Sequence, residues 1–227
     1  MTNNRGGYLL GPILFTDSDE DQGELIPLIS PDEEGQARTD DYPAELPILP
    51  IKNTVLFPGV VIPITVGRQK SIRLIKRAYR GDRIVGVVAQ KNNKSEDPGF
   101  EDLYNTGTVA RLLKMLVLPD GNTTVIIQGQ LRFAISQGLR EDPFLSAQYE
   151  LLPDSYPEKK VKETKALIRS LKEAAFKILH LNPEIPQEAQ IALNSIDGLG
   201  FLTHFLSSNI NAEVGDKQRL LELSDVQ

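Results

Sequence analysis

The chain has 227 residues, of which 40 % are apolar and 25 % are charged, an ordinary composition for a soluble globular protein. It contains no cysteine, which excludes a disulfide framework and thiol chemistry and fits a cytoplasmic protein. No apolar run approaches the roughly 18 residues that a membrane helix needs, so no membrane partner is expected.

The net charge of −6 is unevenly distributed along the chain. Residues 1–45 hold eleven acids and two bases, which give −9, whereas the rest holds 23 bases and 20 acids, which give +3. Residues 1–44 also lack a sustained apolar period and cannot bury enough surface to offset chain entropy. We therefore predict a mostly disordered acidic extension over residues 1–44. Its short apolar segment, residues 25–29, either packs loosely on the rest of the chain or acts as a docking motif.

A β-rich region is predicted to begin at residue 46. Residues 46–51, 54–57 and 60–66 are short, rich in β-branched side chains and interrupted by prolines, which is typical of bent or edge strands. A helix is predicted from residue 72 to about residue 79, with Ser71 as a candidate N-cap. Residues 83–91 are predicted to form a buried strand.

The strongest local signal is a β-hairpin made of residues 107–118 and 123–139. The sequence Pro119-Asp120-Gly121-Asn122 between them supplies the backbone freedom of a tight turn. In the second strand the apolar side chains that share one face are Val125, Ile127, Leu131, Phe133 and Ile135. The polar side chains that point the other way are Gln128, Gln130, Arg132 and Ser136. This alternation predicts one buried face, and residues 144–152 are predicted as the last strand.

After Pro153 the apolar period becomes helical. A helix is predicted over residues 159–181, with Leu171 and Ile178 in its apolar seam. A second helix is predicted from Pro186, a third over residues 199–207, and a short fourth over residues 216–223. The pattern therefore indicates an α+β protein in which the helices follow the strands.

No catalytic or metal-binding motif is recognisable in the chain. There is no phosphate-binding G-x-x-x-x-G-K-[ST] loop and no G-x-S-x-G sequence. The two histidines, His180 and His204, lie on predicted helices without an acidic companion at ligand spacing, so packing or surface positions are expected for both. We therefore predict no catalytic residue, no metal site and no cofactor bound to this chain.

One charged cluster stands out between residues 68 and 83. It has a single acid, Asp82, and seven bases: Arg68, Lys70, Arg73, Lys76, Arg77, Arg80 and Arg83. Residues three or four apart share a helix face, so a basic stripe is predicted from Lys70, Arg73, Arg77 and Arg80. The stripe is either a solvated helix face or a surface for acidic polypeptide or nucleic acid. Tyr79 is its only aromatic residue, which disfavours nucleic acid.

Several short motifs, in order along residues 45–227, resemble the amino-terminal domain of the Lon protease family. The longest is residues 46–68, LPILPIKNTVLFPGVVIPITVGR. The others are residues 70–73 (KSIR), 88–91 (VAQK), 102–110 (DLYNTGTVA), 118–121 (LPDG) with Gly129-x-x-Arg132, 193–197 (LNSID), 216–218 (DKQ) and the LE-x-SDV of residues 221–226. Each motif is weak by itself, but their ordered series is specific, and the acidic extension lies outside the family pattern.

The resemblance implies a PUA-like β pseudo-barrel over residues 45–153, followed by a C-terminal α-helical bundle over residues 154–227. It also implies a substrate-recognition and assembly domain that binds unfolded or damaged protein segments for a hexameric, ATP-dependent serine protease. ATP and magnesium would belong to the AAA+ and protease modules of the parent protein. This chain is expected to end before those modules begin.

The expected substrate-binding residues are the apolar Leu56, Phe57 and Pro58, with the basic Arg68, Lys70 and Arg73 beside them. An exposed apolar patch near bent strands suits the capture of unfolded segments. Core packing is the competing interpretation of Leu56 and Phe57. The competing function is a stand-alone Lon-like adaptor or a PUA-like module that binds nucleic acid.

Overall fold

The computed structural model describes residues 42–92, 94–117, 123–154, 161–181, 193–194, 196 and 198–223. The strands are β1 Leu46–Ile51, β2 Val61–Val66, β3 Ile84–Ala89, β4 Thr106–Val117, β5 Thr123–Arg140 and β6 Ser146–Leu152. The helices are α1 Gln69–Arg80, between β2 and β3, and then α2 Val161–Leu181, α3 Leu199–Asn209 and α4 Val214–Glu222. A short 3-10 turn covers Phe100–Asp102.

The six strands form one sheet that closes into a ring. The order is β2-β5-β4-β3-β1-β6, and an additional pairing of β5 with β6 completes the ring. β1 and β3 are parallel and the other pairs are antiparallel. The expected α+β class and barrel-like arrangement of strands are therefore confirmed.

The length of β5 allows the ring to close. The strand has 18 residues, and its part from Thr123 to Ala134 pairs with β4 along one edge. Along the other edge the first part of β5 pairs with β2, and the part from Arg132 onwards pairs with β6. Between these two partners, Gly129 exchanges backbone hydrogen bonds with Gly59 and Val60, both of 2.9 Å. Along this edge, β5 therefore changes its partner strand from β2 to β6 just after Gly129.

The core lies within the ring and between the ring and α1. β1 is buried on both faces, because the ring interior covers one face and α1 packs against the other. Leu74, Ile75 and Ala78 are the apolar side chains that α1 buries. A second cluster includes Leu46, Ile48 and Phe133, and the Phe133 ring packs edge-on against Tyr149 at 5.8 Å. Burying large apolar side chains contributes about 1.5–3 kcal/mol each.

Two of the predicted elements near β2 differ from the structure. Residues 54–57 form a buried loop and not a strand, because the backbone turns at Asn53 and Gly59, where φ is 61° and 75°. The Thr108 hydroxyl donates to the Leu56 carbonyl at 2.6 Å, so this loop carbonyl is bonded to a side chain. Helix α1 begins at Gln69, earlier than predicted, with Arg68 at the N-cap and no side-chain capping bond. Ser71 is therefore a buried residue of the first turn and not a cap.

The described helices after β6 pack through a third apolar cluster. Leu193, Ile196 and Leu202 are its buried members, and α2 contributes half-buried side chains such as Leu171 and Phe176. Ile178 does not join this seam, since it is 64 % exposed. The predicted turn at 119–122 and the apolar segment 25–29 lie outside the described residues, and so does the predicted helix from Pro186 apart from residues 193–194 and 196. The domain boundaries after residues 44 and 153 stay predictions.

Candidate functional site

The three apolar residues expected to bind substrate lie in the core. Leu56 is 2 % exposed, Phe57 is fully buried, and Pro58 is also buried. The Phe57 ring lies 6.1 Å from the ring of His204 on α3, and the Phe57 carbonyl accepts a hydrogen bond from Val60. In this conformation they support the ring and the first part of α3, as the core-packing interpretation requires.

The three basic residues expected beside them have different environments. Arg68 donates a short hydrogen bond to the Gln90 side chain. Lys70 forms an ion pair with Asp97 at 2.8 Å and lies 4.0 Å from Asp142. Arg73 is exposed and makes no ion pair among the described residues. Among the described residues, Arg73 is therefore the one of the three whose charged group is exposed and has no ion-pair or hydrogen-bond partner.

The pKa values of Arg68 and Lys70 are shifted in opposite directions. Burial lowers the pKa of Arg68, although the nearby carboxylates of Glu96 and Asp97 favour its charge. The hydrogen bond to Asp97 raises the pKa of Lys70. By their contacts, Lys70 joins the start of α1 to Asp97, and Arg68 joins it to Gln90 after β3.

The exposed side of α1 carries four bases spaced three, four and seven residues apart: Arg73, Lys76, Arg77 and Arg80. This spacing places them on one helix face, which we call the α1 stripe. The Arg77 guanidinium lies 5.4 Å from the centre of the Phe144 ring. Just beyond the helix, Arg83 stacks over Tyr79 at 4.6 Å. The α1 stripe is a continuous positive surface opposite the buried face of the helix.

A buried polar network joins the ring to the last two helices. Arg132 of β5 is 1 % exposed. Its Nε lies 2.8 Å from Oδ1 of Asp154, and its Nη1 donates to the carbonyl oxygens of Leu221 and Leu223 at 3.0 and 2.5 Å. A guanidinium has five donors in a fixed fork, so it can hold a carboxylate and a helix end together. We call Arg132, Asp154 and His204 the junction.

Two further contacts hold the helices against the ring. The Gln218 side chain, 1 % exposed on α4, donates to the Thr106 carbonyl at 2.9 Å. On α3, the Phe201 ring packs against Gly59, where it occupies the space that a Cβ atom would need. Buried polar groups of this kind are costly unless they are paired, so they specify one arrangement of ring and helices.

The sequence did not reveal the junction. Alternation placed Arg132 on the polar face of β5, and the structure shows that Arg132 itself is buried and donates to the end of α4. His204 has an acidic companion, Asp154, which is fifty residues away in the chain. The one available signal was the Gly129-x-x-Arg132 motif, which the structure explains through the strand exchange at Gly129 and the buried Arg132.

Helix α2 carries three exposed large apolar side chains, two of which are the most exposed among the described helical residues. Leu167, Ile178 and Leu181 are 36 %, 64 % and 84 % exposed. With 3.6 residues per turn, spacings of 11 and 14 residues place all three within an arc of about 60° around the helix. We call these three residues the α2 apolar face.

One groove between the ring and the helices has a mostly polar lining. This open groove of about 710 Å³ lies between Asn53 with residues 90–92 on the ring and residues 211–216 near the start of α4. Within the described ranges, no three His, Asp or Glu side chains are placed to hold a metal ion. In the same part of the chain, no helix is long and apolar enough to cross a membrane.

The fold is that of Lon amino-terminal domains. The N terminal domain of Mycobacterium avium complex Lon protease superposes with a TM-score of 0.65 at 20 % identity, over 80 % of this chain and 91 % of that one. The Lon N-terminal domain protein from Xanthomonas campestris gives a TM-score of 0.57 at 21 % identity, over 81 % of this chain and 92 % of that one. At these identities the likeness concerns the fold.

Residues 45–227 match the family described as the ATP-dependent protease La (LON) substrate-binding domain, and the chain belongs to that family. The Lon protease of Cytophaga hutchinsonii is 59 % identical over 207 residues, 91 % of this chain and 26 % of that protein. The Lon protease of Flavobacterium johnsoniae is 45 % identical over 208 residues, 92 % of this chain and 26 % of that protein. The chain thus spans about a quarter of the length of these relatives, and the expected family is confirmed.

Proposed function

We propose that this domain holds unfolded or damaged protein segments for a Lon-type ATP-dependent serine protease. The family match over residues 45–227 supports the substrate-binding role. The observation that carries the proposal is the α2 apolar face, three large apolar side chains left exposed on one side of a helix. Unfolded chains expose apolar side chains, and exposed apolar surface on a folded protein marks interaction sites.

The α1 stripe adds a charged component to this function. Exposed charge contacts contribute about 0–1 kcal/mol each and are screened over about 8–10 Å at physiological salt. Apolar contacts therefore supply most of the affinity, while Arg73 and its neighbours on the α1 stripe favour acidic segments. Arg68 and Lys70 act by fixing the start of α1, and Leu56, Phe57 and Pro58 act by supporting the core.

The remaining features of the whole protein are also proposals. The parent would be a homohexamer in the cytoplasm, and ATP and magnesium would bind in modules outside this chain. The support is the relation to Lon proteases, of which this chain covers about a quarter. The absence of cysteine fits the cytoplasm.

Binding of a permanently unfolded polypeptide tests the role of the α2 apolar face. We expect the double variant Ile178→Ser, Leu181→Ser to bind about tenfold more weakly, a loss of about 1.4 kcal/mol. A matched control removes two exposed apolar side chains from the ring, Val117→Ser with Leu139→Ser, which are 65 % and 39 % exposed. Equal affinities of the two variants in a fluorescence titration would show that α2 is not the binding surface.

A further inference from the structure

The first 41 residues and the α1 stripe carry opposite charges. Residues 1–41 contain ten acids and two arginines, and five of the acids fall within residues 32–41: Asp32, Glu33, Glu34, Asp40 and Asp41. Of the α1 stripe, Arg73, Lys76 and Arg80 are exposed and form no ion pair among the described residues. The fold therefore leaves these three positive charges available to a ligand.

The acidic residues join the fold beside this surface. The Tyr149 hydroxyl donates to the Pro43 carbonyl at 2.8 Å, which fixes the chain one residue after Tyr42. Four residues further on, Pro47 of β1 pairs with Ser146, and the Arg77 guanidinium lies 5.4 Å from the centre of the ring of Phe144, two residues before Ser146. Pro43 thus anchors the chain near the end of α1 that bears Arg77 and Arg80.

The length of the acidic segment matches the length of the α1 stripe. Arg73 and Arg80 are seven residues apart on a helix, which corresponds to about 10 Å. Ten extended residues span up to about 33 Å, so residues 32–41 can reach from Pro43 across the whole α1 stripe.

We infer that the acidic segment of residues 32–41 docks on the α1 stripe of its own chain. Carboxylates from Asp32 to Asp41 face Arg73, Lys76 and Arg80, and the anchor at Pro43 keeps their local concentration high. An acidic segment of another polypeptide then has to displace residues 32–41 before it reaches the α1 stripe. This last consequence rests on the proposed substrate-binding function, whereas the docking itself does not.

A spin label on the full chain tests the docking without any substrate. Because the protein has no cysteine, Gln36→Cys provides a single attachment site within the acidic segment. We expect a nitroxide at this site to broaden the amide NMR signals of residues 73–83 at least about threefold more than those of α2. The difference should disappear in about 1 M salt, where the Debye length is about 3 Å.

Two charge reversals on the labelled chain identify the surface. Arg73→Glu with Arg80→Glu should abolish the selective broadening, whereas Lys165→Glu with Lys177→Glu changes the net charge equally on exposed α2 positions and should leave it unchanged. Replacing Asp32, Glu33 and Glu34 by Asn, Gln and Gln should weaken the broadening without altering the folded domain. The docking would be overturned if the broadening were absent or were strongest on another surface. It would also be overturned if the broadening did not respond to these substitutions.

A titration with an acidic unfolded polypeptide tests the competition. If residues 32–41 occupy the α1 stripe, neutralising Asp32, Glu33 and Glu34 should strengthen this binding about two- to fivefold and leave the binding of a basic polypeptide unchanged. Selective broadening with no gain in affinity would overturn the competition alone. If neither polypeptide binds although the broadening is present, the proposed function fails and the docking stands.

Discussion

His204 Nε2 lies 2.9 Å from Oδ2 of Asp154, while the other oxygen of the same carboxylate, Oδ1, lies 2.8 Å from Nε and 2.7 Å from Nη2 of Arg132. One carboxylate therefore connects strand β5 with helix α3. Arg132 also donates to the end of α4, so three elements that are distant in sequence meet at this group. The relative position of ring and helices depends on the junction.

Asp154→Asn should destabilise the domain by about 3 kcal/mol, because it leaves the buried Arg132 charge without its counter-ion. For a domain of this size the change corresponds to a fall in Tm of roughly 6–12 °C. The control Asp216→Asn removes a 60 % exposed carboxylate that pairs with Arg219, and it should cost about 0–1 kcal/mol. Similar unfolding free energies of the two variants in a denaturant titration would contradict the central role of Asp154.

Gly129→Ala should destabilise the fold by about 1–3 kcal/mol through steric overlap. A Cβ atom at residue 129 would collide with the carbonyl oxygen of Phe57, which is backbone and cannot move aside easily. Gly67→Ala is the matched control, since a Cβ atom there meets nothing within 4 Å. Thermal unfolding should show a change within about 0.5 kcal/mol for the control. A tolerated Gly129→Ala would mean that β5 does not need this close approach.

Lys70→Glu should lower Tm more than Arg73→Glu. Lys70 pairs with Asp97 and lies near Asp142, so a glutamate there faces two like charges, whereas Arg73 has no charged partner among the described residues. Thermal melts of both variants at low and high salt measure the effect, and the difference should shrink as salt screens it. If both reversals lower Tm equally, the ion pair of Lys70 contributes nothing to the start of α1.

Tyr149 should make the stability fall at alkaline pH. Burial, and secondly the charge of Asp82, raises its pKa, so the folded chain keeps the phenol proton to a higher pH than the unfolded chain. The stabilisation is therefore complete below the unfolded pKa of about 10 and is lost as pH rises through the raised value. Unfolding free energies from about pH 9 to about pH 11 should decline more steeply for the wild type than for Tyr149→Phe. Parallel declines would assign the loss to other groups.

Local sequence patterns predicted the positions of strands and helices more accurately than they predicted what packs against each face. The alternation in residues 123–139 predicted β5 and its apolar face, and Phe133 is fully buried as expected. The same alternation could not show that Arg132, on the opposite face, is covered by α4. A period of two separates the faces of one strand, but it carries no information about an element ninety residues later in the chain.

The expected substrate residues show the same limit. An apolar Leu56-Phe57-Pro58 sequence between prolines can lie in an exposed loop or in a buried one. In the folded chain Gly129 approaches Phe57 closely, and the loop is buried. Two of the bases between residues 68 and 83 are not free to bind a ligand, because Arg68 bonds to Gln90 and Lys70 to Asp97. Exposure and pairing depend on neighbours that only the folded chain brings together.

The sequence alone determined the α+β class, most strand and helix positions, the acidic segment and the Lon family. Each of these is recorded in composition, periodicity or ordered motifs. The tertiary structure decided which faces are doubly covered, which charges remain unpaired and which apolar side chains stay exposed. The closed ring buries Arg132 and Phe57, and the packing of α2 on α3 leaves Ile178 and Leu181 exposed. Burial is a property of contacts between distant segments, so no single segment of the sequence contains it.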